Sequence, residues 1–220
     1  MIMIIYALIT IAIFGMWYYA RYEGNFLPSP KKTFNPMMIV AIVILVPGTQ
    51  FAANFIANLT GYIRPDWLQQ YNELFETSGI TDTTFVTVLY SVILAPICEE
   101  LIFRGVTMRC ARKALPFALA NLMQAALFGL FHLNWIQGIY AFALGIVLGY
   151  VCERGGSIYY SMGLHLLFNL WGTLSGFFPD PGNSVVVFVV VIAVTIVSLV
   201  VGFVLFNKGR RKLPINSTGI

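Results

Sequence analysis

Long apolar runs, separated by short polar stretches, divide most of this sequence into segments of similar length. Seven such segments can be delimited: Ile2–Ala20, Met37–Ala57, Phe85–Phe103, Phe117–Trp135, Ile136–Val151, Ile158–Phe178 and Val185–Phe206. A membrane-spanning helix needs about 20 mainly apolar residues, whereas barrel strands alternate apolar and polar positions. The runs are continuous and do not alternate, so the pattern predicts about seven transmembrane helices, of which the fifth is the shortest.

One polar stretch has its own periodicity. Between the second and third segments, apolar side chains recur at helical spacing: Trp67, Leu68, Tyr71, Leu74 and Phe75. This spacing places them on one face of a helix, which predicts an amphipathic helix lying on the membrane interface. We interpret this helix as an anchor rather than as a substrate gate.

Composition agrees with a membrane protein. The 220 residues are 59% hydrophobic and 10% charged, and the mean hydropathy is +0.81. A soluble domain is about 45–50% apolar and about 25% charged, so the composition excludes a soluble globular enzyme, a disordered chain and a nucleic-acid binder. The net charge of +4 reflects loop orientation rather than an acidic partner. The predicted class is an all-α, polytopic helix bundle in the cell membrane.

The charged residues predict how the bundle is oriented. Basic residues are concentrated after segments one, three, five and seven, while the loops after segments two, four and six are acidic or lack basic clusters. Because positive loops stay inside, this alternation predicts an outer N-terminus and an inner C-terminus. We therefore expect one transmembrane domain over residues 1–206 and a basic cytoplasmic tail over residues 207–220.

Three charged residues in the third segment are not explained by orientation. Glu99, Glu100 and Arg104 lie in an apolar stretch, where each ionisable group costs about 2.5–3.5 kcal/mol at a helix centre. Glu100 and Arg104 are four residues apart and can pair on one face, which leaves Glu99 without that partner. The cluster is either a functional pair of carboxylates with different roles or a charged helix end at the cytoplasmic interface.

The two histidines favour the functional interpretation. His132 lies near the end of the fourth segment, and His165 lies one turn before Asn169 in the sixth. Glu99 and His132 are 33 residues apart, with a predicted turn at Leu115 and Pro116 midway, so a helical hairpin would bring them to one depth. The loop charges, in contrast, place Glu99 towards the inner side and His132 near the outer end of its span.

These segments resemble the signature of the CPBP family, which comprises intramembrane proteases related to type II CAAX prenyl endopeptidases and to bacteriocin-processing or immunity proteins. The family pattern is a Glu-Glu-x-x-x-Arg motif followed by Phe-x-x-x-His and His-x-x-x-Asn or Asp. Each motif is present in order here: Glu99-Glu100-Leu-Ile-Phe-Arg104, Phe128-Gly-Leu-Phe-His132 and His165-Leu-Leu-Phe-Asn169. The signature core extends over about residues 85–178.

The resemblance implies hydrolysis of a peptide bond inside the membrane. In that case Glu99, helped by His132, activates water, and His165 with Asn169 stabilises the oxyanion. Glu100, Arg104 and Phe128 are implied to support the site. A zinc ion held by Glu99, His132 and His165 is the alternative, but the sequence lacks a His-Glu-x-x-His helix. The resemblance therefore favours a glutamate-dependent reaction without a cofactor.

Several alternatives remain open at this stage. The chain could be a non-enzymatic immunity or scaffold factor, or a proton-coupled carrier, although no inverted repeat is visible. For the protease we expect a peptide or membrane-protein substrate in a bacterial plasma membrane, with the lipid bilayer as the other partner. A polar row in the second segment, formed by Gln50, Asn54 and Asn58, is interpreted as making hydrogen bonds between helices rather than contacts with a substrate.

Overall fold

The computed structural model describes residues 2–22, 34–77, 84–175 and 184–210, and every regular element in these ranges is a helix. The eight helices are α1 (Ile2–Tyr22), α2 (Pro36–Ile63), α3 (Pro65–Thr77), α4 (Phe85–Ala111), α5 (Phe117–Phe131), α6 (Trp135–Gly155), α7 (Ile158–Ser175) and α8 (Val185–Gly209). The predicted all-α polytopic bundle is confirmed.

Each predicted apolar segment corresponds to one helix, with shifted boundaries. Five helices are long and apolar enough to cross a membrane: α1, α2, α4, α6 and α8. The fifth predicted segment is therefore longer than expected, since α6 has 21 residues, whereas α5 has only 15. Seven spans and an outer N-terminus remain predictions. Helix α8 extends three residues beyond the predicted domain boundary, and residues 211–220 of the predicted tail lie outside the described residues.

A side chain from α8 interrupts the backbone hydrogen bonds of α2. Pro47 lies inside α2 and lacks the N–H that a helix interior needs. One residue later the Gly48 N–H donates to the Ser198 hydroxyl at 2.9 Å, and this hydroxyl in turn donates to the Ile44 carbonyl. The hydroxyl is thereby inserted into the backbone ladder of α2, and such insertions bend helices. Polar backbone groups freed at membrane depth are satisfied in this way.

Helix α4 carries the glutamate pair and is not α-helical throughout. Two π-helical stretches, Leu89–Leu94 and Leu101–Met108, flank the α-helical turn and a half between them. The Ala95 N–H bonds the Tyr90 carbonyl five residues earlier, just before Pro96. Proline clashes with the carbonyl four residues before it in a regular α-helix, and the wider turn avoids this conflict. The sequence analysis did not predict these π-helical stretches.

Helices α5 and α6 form a closely packed hairpin. Gln124 donates to the Gly145 carbonyl at 2.9 Å and to the Asn121 side chain at 2.7 Å, while Asn121 donates to the Ile146 carbonyl at 3.0 Å. A Cβ atom at Gly149 would overlap the Asn121 side chain, so glycine is required for this approach. The two amides hold α5 against α6 and do not belong to the chemical site.

Helix α3 is the amphipathic helix that the spacing predicts. The Trp67 ring stacks on Trp135 at the start of α6, with ring centroids 5.3 Å apart, and the Arg64 guanidinium lies 4.2 Å from the Trp67 ring. Arg64 also donates two hydrogen bonds to Asp66, at 2.9 and 2.6 Å, and this bonding lowers the pKa of the exposed Asp66 carboxyl. The helix is thus fixed beside the ends of α2 and α6.

Candidate active site

Among the described residues, the bundle contains a cavity of about 850 Å³ that is lined by both polar and apolar side chains, and helices α1–α7 all contribute to its wall. The four residues that the sequence analysis singles out for catalysis, and one of its supporting residues, line this cavity: Glu99, His132, His165 and Asn169, with Phe128 beside them. The turn over residues 112–116 lies midway between Glu99 and His132, as the spacing predicts. Since Glu99 lies near the middle of α4 and His132 ends the short α5, both side chains reach one cavity.

Behind the cavity, Glu100 and Arg104 form the ion pair that their spacing predicts. The Arg104 Nη1 lies 2.8 Å from the Glu100 Oε1, and both side chains are fully buried. The guanidinium also donates to the Gly145 carbonyl at 3.2 Å and lies 4.5 Å from the centre of the Phe128 ring. These contacts tie α4 to α5 and α6, and they offset part of the cost of burying the two charges at this depth.

His165 lies between the two glutamates. Its Nδ1 is 3.0 Å from the Glu100 Oε1, and its Nε2 is 3.5 Å from the Glu99 Oε2. A carboxylate that is already paired with arginine accepts hydrogen bonds, so Nδ1 carries a proton and Nε2 is the nitrogen next to Glu99. The sequence places His165 with Asn169, but does not show this contact with both carboxylates from helix α4.

Glu99 and His132 both line the cavity but have different neighbours. Glu99 retains 15% side-chain exposure, in contrast to the fully buried Glu100. The His132 Nδ1 is 2.8 Å from the Phe128 carbonyl, and the Phe128 ring packs edge-on against both His132 and His165, with centroids 4.9 and 5.7 Å apart. Phe128 therefore holds both imidazoles, and the ionic contact of Glu99 is with His165 rather than His132.

Asn169 is positioned by the π-helical part of α4. Its Nδ2 donates to the Ser91 carbonyl at 2.8 Å, and Ser91 lies within Leu89–Leu94. An amide nitrogen carries two hydrogens, so one fixes the orientation of the side chain and the second remains for a group in the cavity. The wide turn thus has a direct role in placing a predicted site residue.

The sequence analysis misassigned one set of polar residues. Gln50 donates to Asn54 on the same helix at 3.4 Å, and both side chains line the cavity, whereas Asn58 does not. Among the described residues, neither Gln50 nor Asn54 forms the predicted hydrogen bond to another helix. Their i, i+4 spacing shows that they share one face of the helix. Spacing alone does not show whether that face lines a cavity or contacts another helix.

Within the described residues, no group of three or more His, Cys, Asp or Glu side chains converges on a common point where an ion would be held. The Nδ1 atoms of His132 and His165 are engaged by the Phe128 carbonyl and by Glu100, as is also usual in histidines that bind a metal through Nε2. The residues considered for zinc, Glu99, His132 and His165, share the cavity without forming such a cluster.

The geometry agrees with a comparison to known families. Residues 81–171 match the family model described as type II CAAX prenyl endopeptidase Rce1-like. The resemblance to CAAX-type proteases is confirmed over this segment, which contains all three motifs. The Rce1-like match supports an intramembrane CAAX-type endopeptidase in general, hence a multi-pass membrane protein that acts on a peptide or protein. No curated protein and no solved structure matches the chain significantly.

Proposed function

We propose that this protein is a glutamate-dependent intramembrane endopeptidase that hydrolyses a peptide bond of a membrane-associated substrate. The observation that carries the proposal is the convergence of Glu99, His132, His165 and Asn169 on one cavity, next to a fully buried Glu100–Arg104 pair. Such a cavity holds a base, an acceptor for water and two hydrogen-bond donors in a low-dielectric setting, where preorganised donors act strongly.

In this proposal, His132 orients the attacking water. A carbonyl oxygen only accepts, so the contact with the Phe128 carbonyl assigns a proton to the His132 Nδ1. In the neutral ring the Nε2 then carries a lone pair, which accepts a hydrogen from the water. Glu99, whose side chain is partly open to the cavity, is the base that takes the other hydrogen.

His165 and Asn169 provide the oxyanion donors. The His165 Nδ1–H is directed at Glu100, and in the reactive form the Nε2 also carries a proton, which it donates to the scissile carbonyl oxygen. Asn169 contributes the amide hydrogen that the Ser91 carbonyl does not use. Two donors fixed before the substrate arrives need no reorganisation as charge develops.

The proton transfers balance over the reaction. Glu99 accepts a proton as the water oxygen bonds to the carbonyl carbon, and the π electrons of the carbonyl move onto its oxygen. The oxyanion is stabilised by His165 and Asn169. Glu99 then gives the proton to the amide nitrogen as the C–N bond breaks, which releases an amine and a carboxylic acid and regenerates the carboxylate.

The substrate class follows from the cavity and from the family. An extended apolar peptide, or a C-terminus that carries a prenyl group, is compatible with a cavity lined by both polar and apolar side chains. We propose a bacterial plasma membrane as the location and a processed peptide precursor as the physiological substrate.

Reconstitution tests this function directly. Purified protein in liposomes is incubated with two quenched fluorescent peptides, one apolar and one farnesylated at a C-terminal CAAX sequence, and the products are identified by mass spectrometry. Wild type is expected to cleave at least one peptide at a defined bond. His132→Ala is expected to reduce kcat by about 100-fold, the lower end of the range for acid–base catalysis, because the water is no longer oriented towards Glu99. Equal cleavage by both proteins would refute the proposed role of His132.

We also propose that the reaction needs no resident metal. Cleavage should retain its rate after dialysis against a strong chelator, in samples that contain no stoichiometric metal by elemental analysis. Loss of cleavage that is restored by zinc alone would contradict this expectation, and would assign a metal-dependent reaction to the same cavity.

A further inference from the structure

Gln50 is a buried amide that the proposed chemistry does not use. Its side chain lines the cavity from α2, and the residue is only 7% exposed. The Oε1 atom has no hydrogen-bond partner among the described residues, and the Nε2 makes one long bond of 3.4 Å to Asn54. A buried acceptor without a partner destabilises a folded protein, and on a cavity wall a bound group can supply the missing hydrogen bond.

The surroundings of Gln50 fix it in place. Just before Gln50 in the sequence, the Ser198 hydroxyl of α8 bonds to both the Ile44 carbonyl and the Gly48 N–H of α2. On its other side, Phe51 packs edge-on against Trp171 of α7, with ring centroids 6.1 Å apart. Gln50 therefore faces the cavity from a helix that is held on both sides.

The position of Gln50 along the cavity can be related to the catalytic residues. Gly172 of α7 lies opposite, because a Cβ atom built there would be 3.9 Å from the Gln50 Nε2. Gly172 follows His165 by seven residues on that helix, which corresponds to about 10 Å along its axis. An extended peptide advances about 3.3 Å per residue, so Gln50 is about three residues from a bond cleaved beside His165.

We propose that Gln50, with Asn54 beside it, binds the backbone of an extended substrate about three residues from the scissile bond. This inference rests on the proposed endopeptidase function and adds a substrate-binding subsite to it. A side-chain amide offers one acceptor and two donors, which complements a peptide unit whose N–H and C=O must be satisfied at membrane depth. The terminal torsion of glutamine is soft, so the amide can turn towards the peptide. Both residues lie outside the segment with the family match.

The proposal is tested with Gln50→Met, which keeps the length of the side chain and removes the amide. The matched control is Asn58→Leu, in the same polar row but outside the cavity wall. With the cleaved quenched peptide, Gln50→Met is expected to raise KM about tenfold and to change kcat less than about twofold, while Asn58→Leu leaves both unchanged. A fall in kcat with unchanged KM would overturn the subsite.

A peptide series shows whether the contact is to the backbone. Each N–H of the substrate is replaced in turn by N-methyl, and wild type is expected to lose about tenfold in kcat/KM at one position, about three residues from the cleaved bond. Gln50→Met should be insensitive to methylation at that position, since the two changes remove the same interaction. Equal sensitivity of both proteins would contradict the proposal.

Binding and stability separate this subsite from the catalytic proposal. Fluorescence anisotropy of the same peptides is measured with Glu99→Gln protein in nanodiscs, with and without Gln50→Met. Weaker binding in the double variant supports the subsite even if no peptide is cleaved, whereas cleavage without any Gln50 dependence refutes only the subsite. Wild-type protein that binds neither peptide, or a large fall in Tm for Gln50→Met with unchanged binding, would overturn the subsite.

Discussion

Replacing Glu99 with glutamine is expected to reduce the kcat for peptide cleavage by at least about 1,000-fold, within the range for removal of a general base. The substitution keeps the shape of the side chain and removes only the ability to accept a proton from water. Glu99 takes no part in the ion pair with Arg104, so the fold should be retained. Initial rates of the quenched peptide in liposomes, together with the Tm of the purified variant, measure both effects.

A second carboxylate provides the control for this experiment. Glu153 pairs with Arg112 at 3.1 Å in an exposed ion pair, remote from the cavity wall. Glu153→Gln should therefore cleave the peptide at the wild-type rate. If Glu99→Gln retained substantial cleavage at wild-type stability, Glu99 would not be the base, and a different group in the cavity would have to activate water.

The second large effect is expected from Arg104→Met, which should lower the free energy of unfolding by about 3–5 kcal/mol, the cost of leaving a buried charge without its partner. The fully buried Glu100 would lose its counter-ion, and the contacts of the guanidinium with the Gly145 carbonyl and the Phe128 ring would be lost as well. Denaturant unfolding in a mild detergent, followed by tryptophan fluorescence, measures the change.

Two further variants make this prediction specific. Arg112→Met removes one partner of the exposed pair and should cost no more than about 1 kcal/mol, since surface ion pairs contribute little. Glu100→Leu combined with Arg104→Met removes both buried charges and should recover most of the stability. Activity should remain low, because His165 then has no partner for its Nδ1. A stable and fully active double variant would show that the pair does not position His165.

Features that depend on local spacing were predictable from the sequence. The apolar runs predicted the helices, and the i, i+4 spacing predicted the Glu100–Arg104 pair. Glu99 and His132 are equally far from the turn at Leu115 and Pro116, which predicted that both side chains reach one cavity. In each case the relevant residues lie on one helix or on a hairpin, where helical geometry alone fixes their relative positions.

Features that depend on contacts between distant segments were not predictable. The π-helical turns look like ordinary helix in the sequence, although Pro96 marks the place where a regular turn is unfavourable. The His165–Glu100 contact joins residues 65 positions apart, and no periodicity encodes it. The sequence analysis assigned Gln50 to helix packing for the same reason. Whether this face of α2 packs against a helix or lines the cavity depends on the position of α7, which the sequence of α2 does not encode.

The shortness of α5 has a consequence for the lipid around the protein. Its 15 residues rise about 22 Å, less than the hydrocarbon core of about 30 Å. Where α5 faces lipid, the bilayer must thin or headgroups must reach inwards to meet the end of the helix at His132. Hydrolysis consumes water, which the membrane interior does not supply. A local depression of the bilayer at α5 would bring bulk water to His132, the side chain that we propose orients it, so the rate of cleavage should depend on membrane thickness.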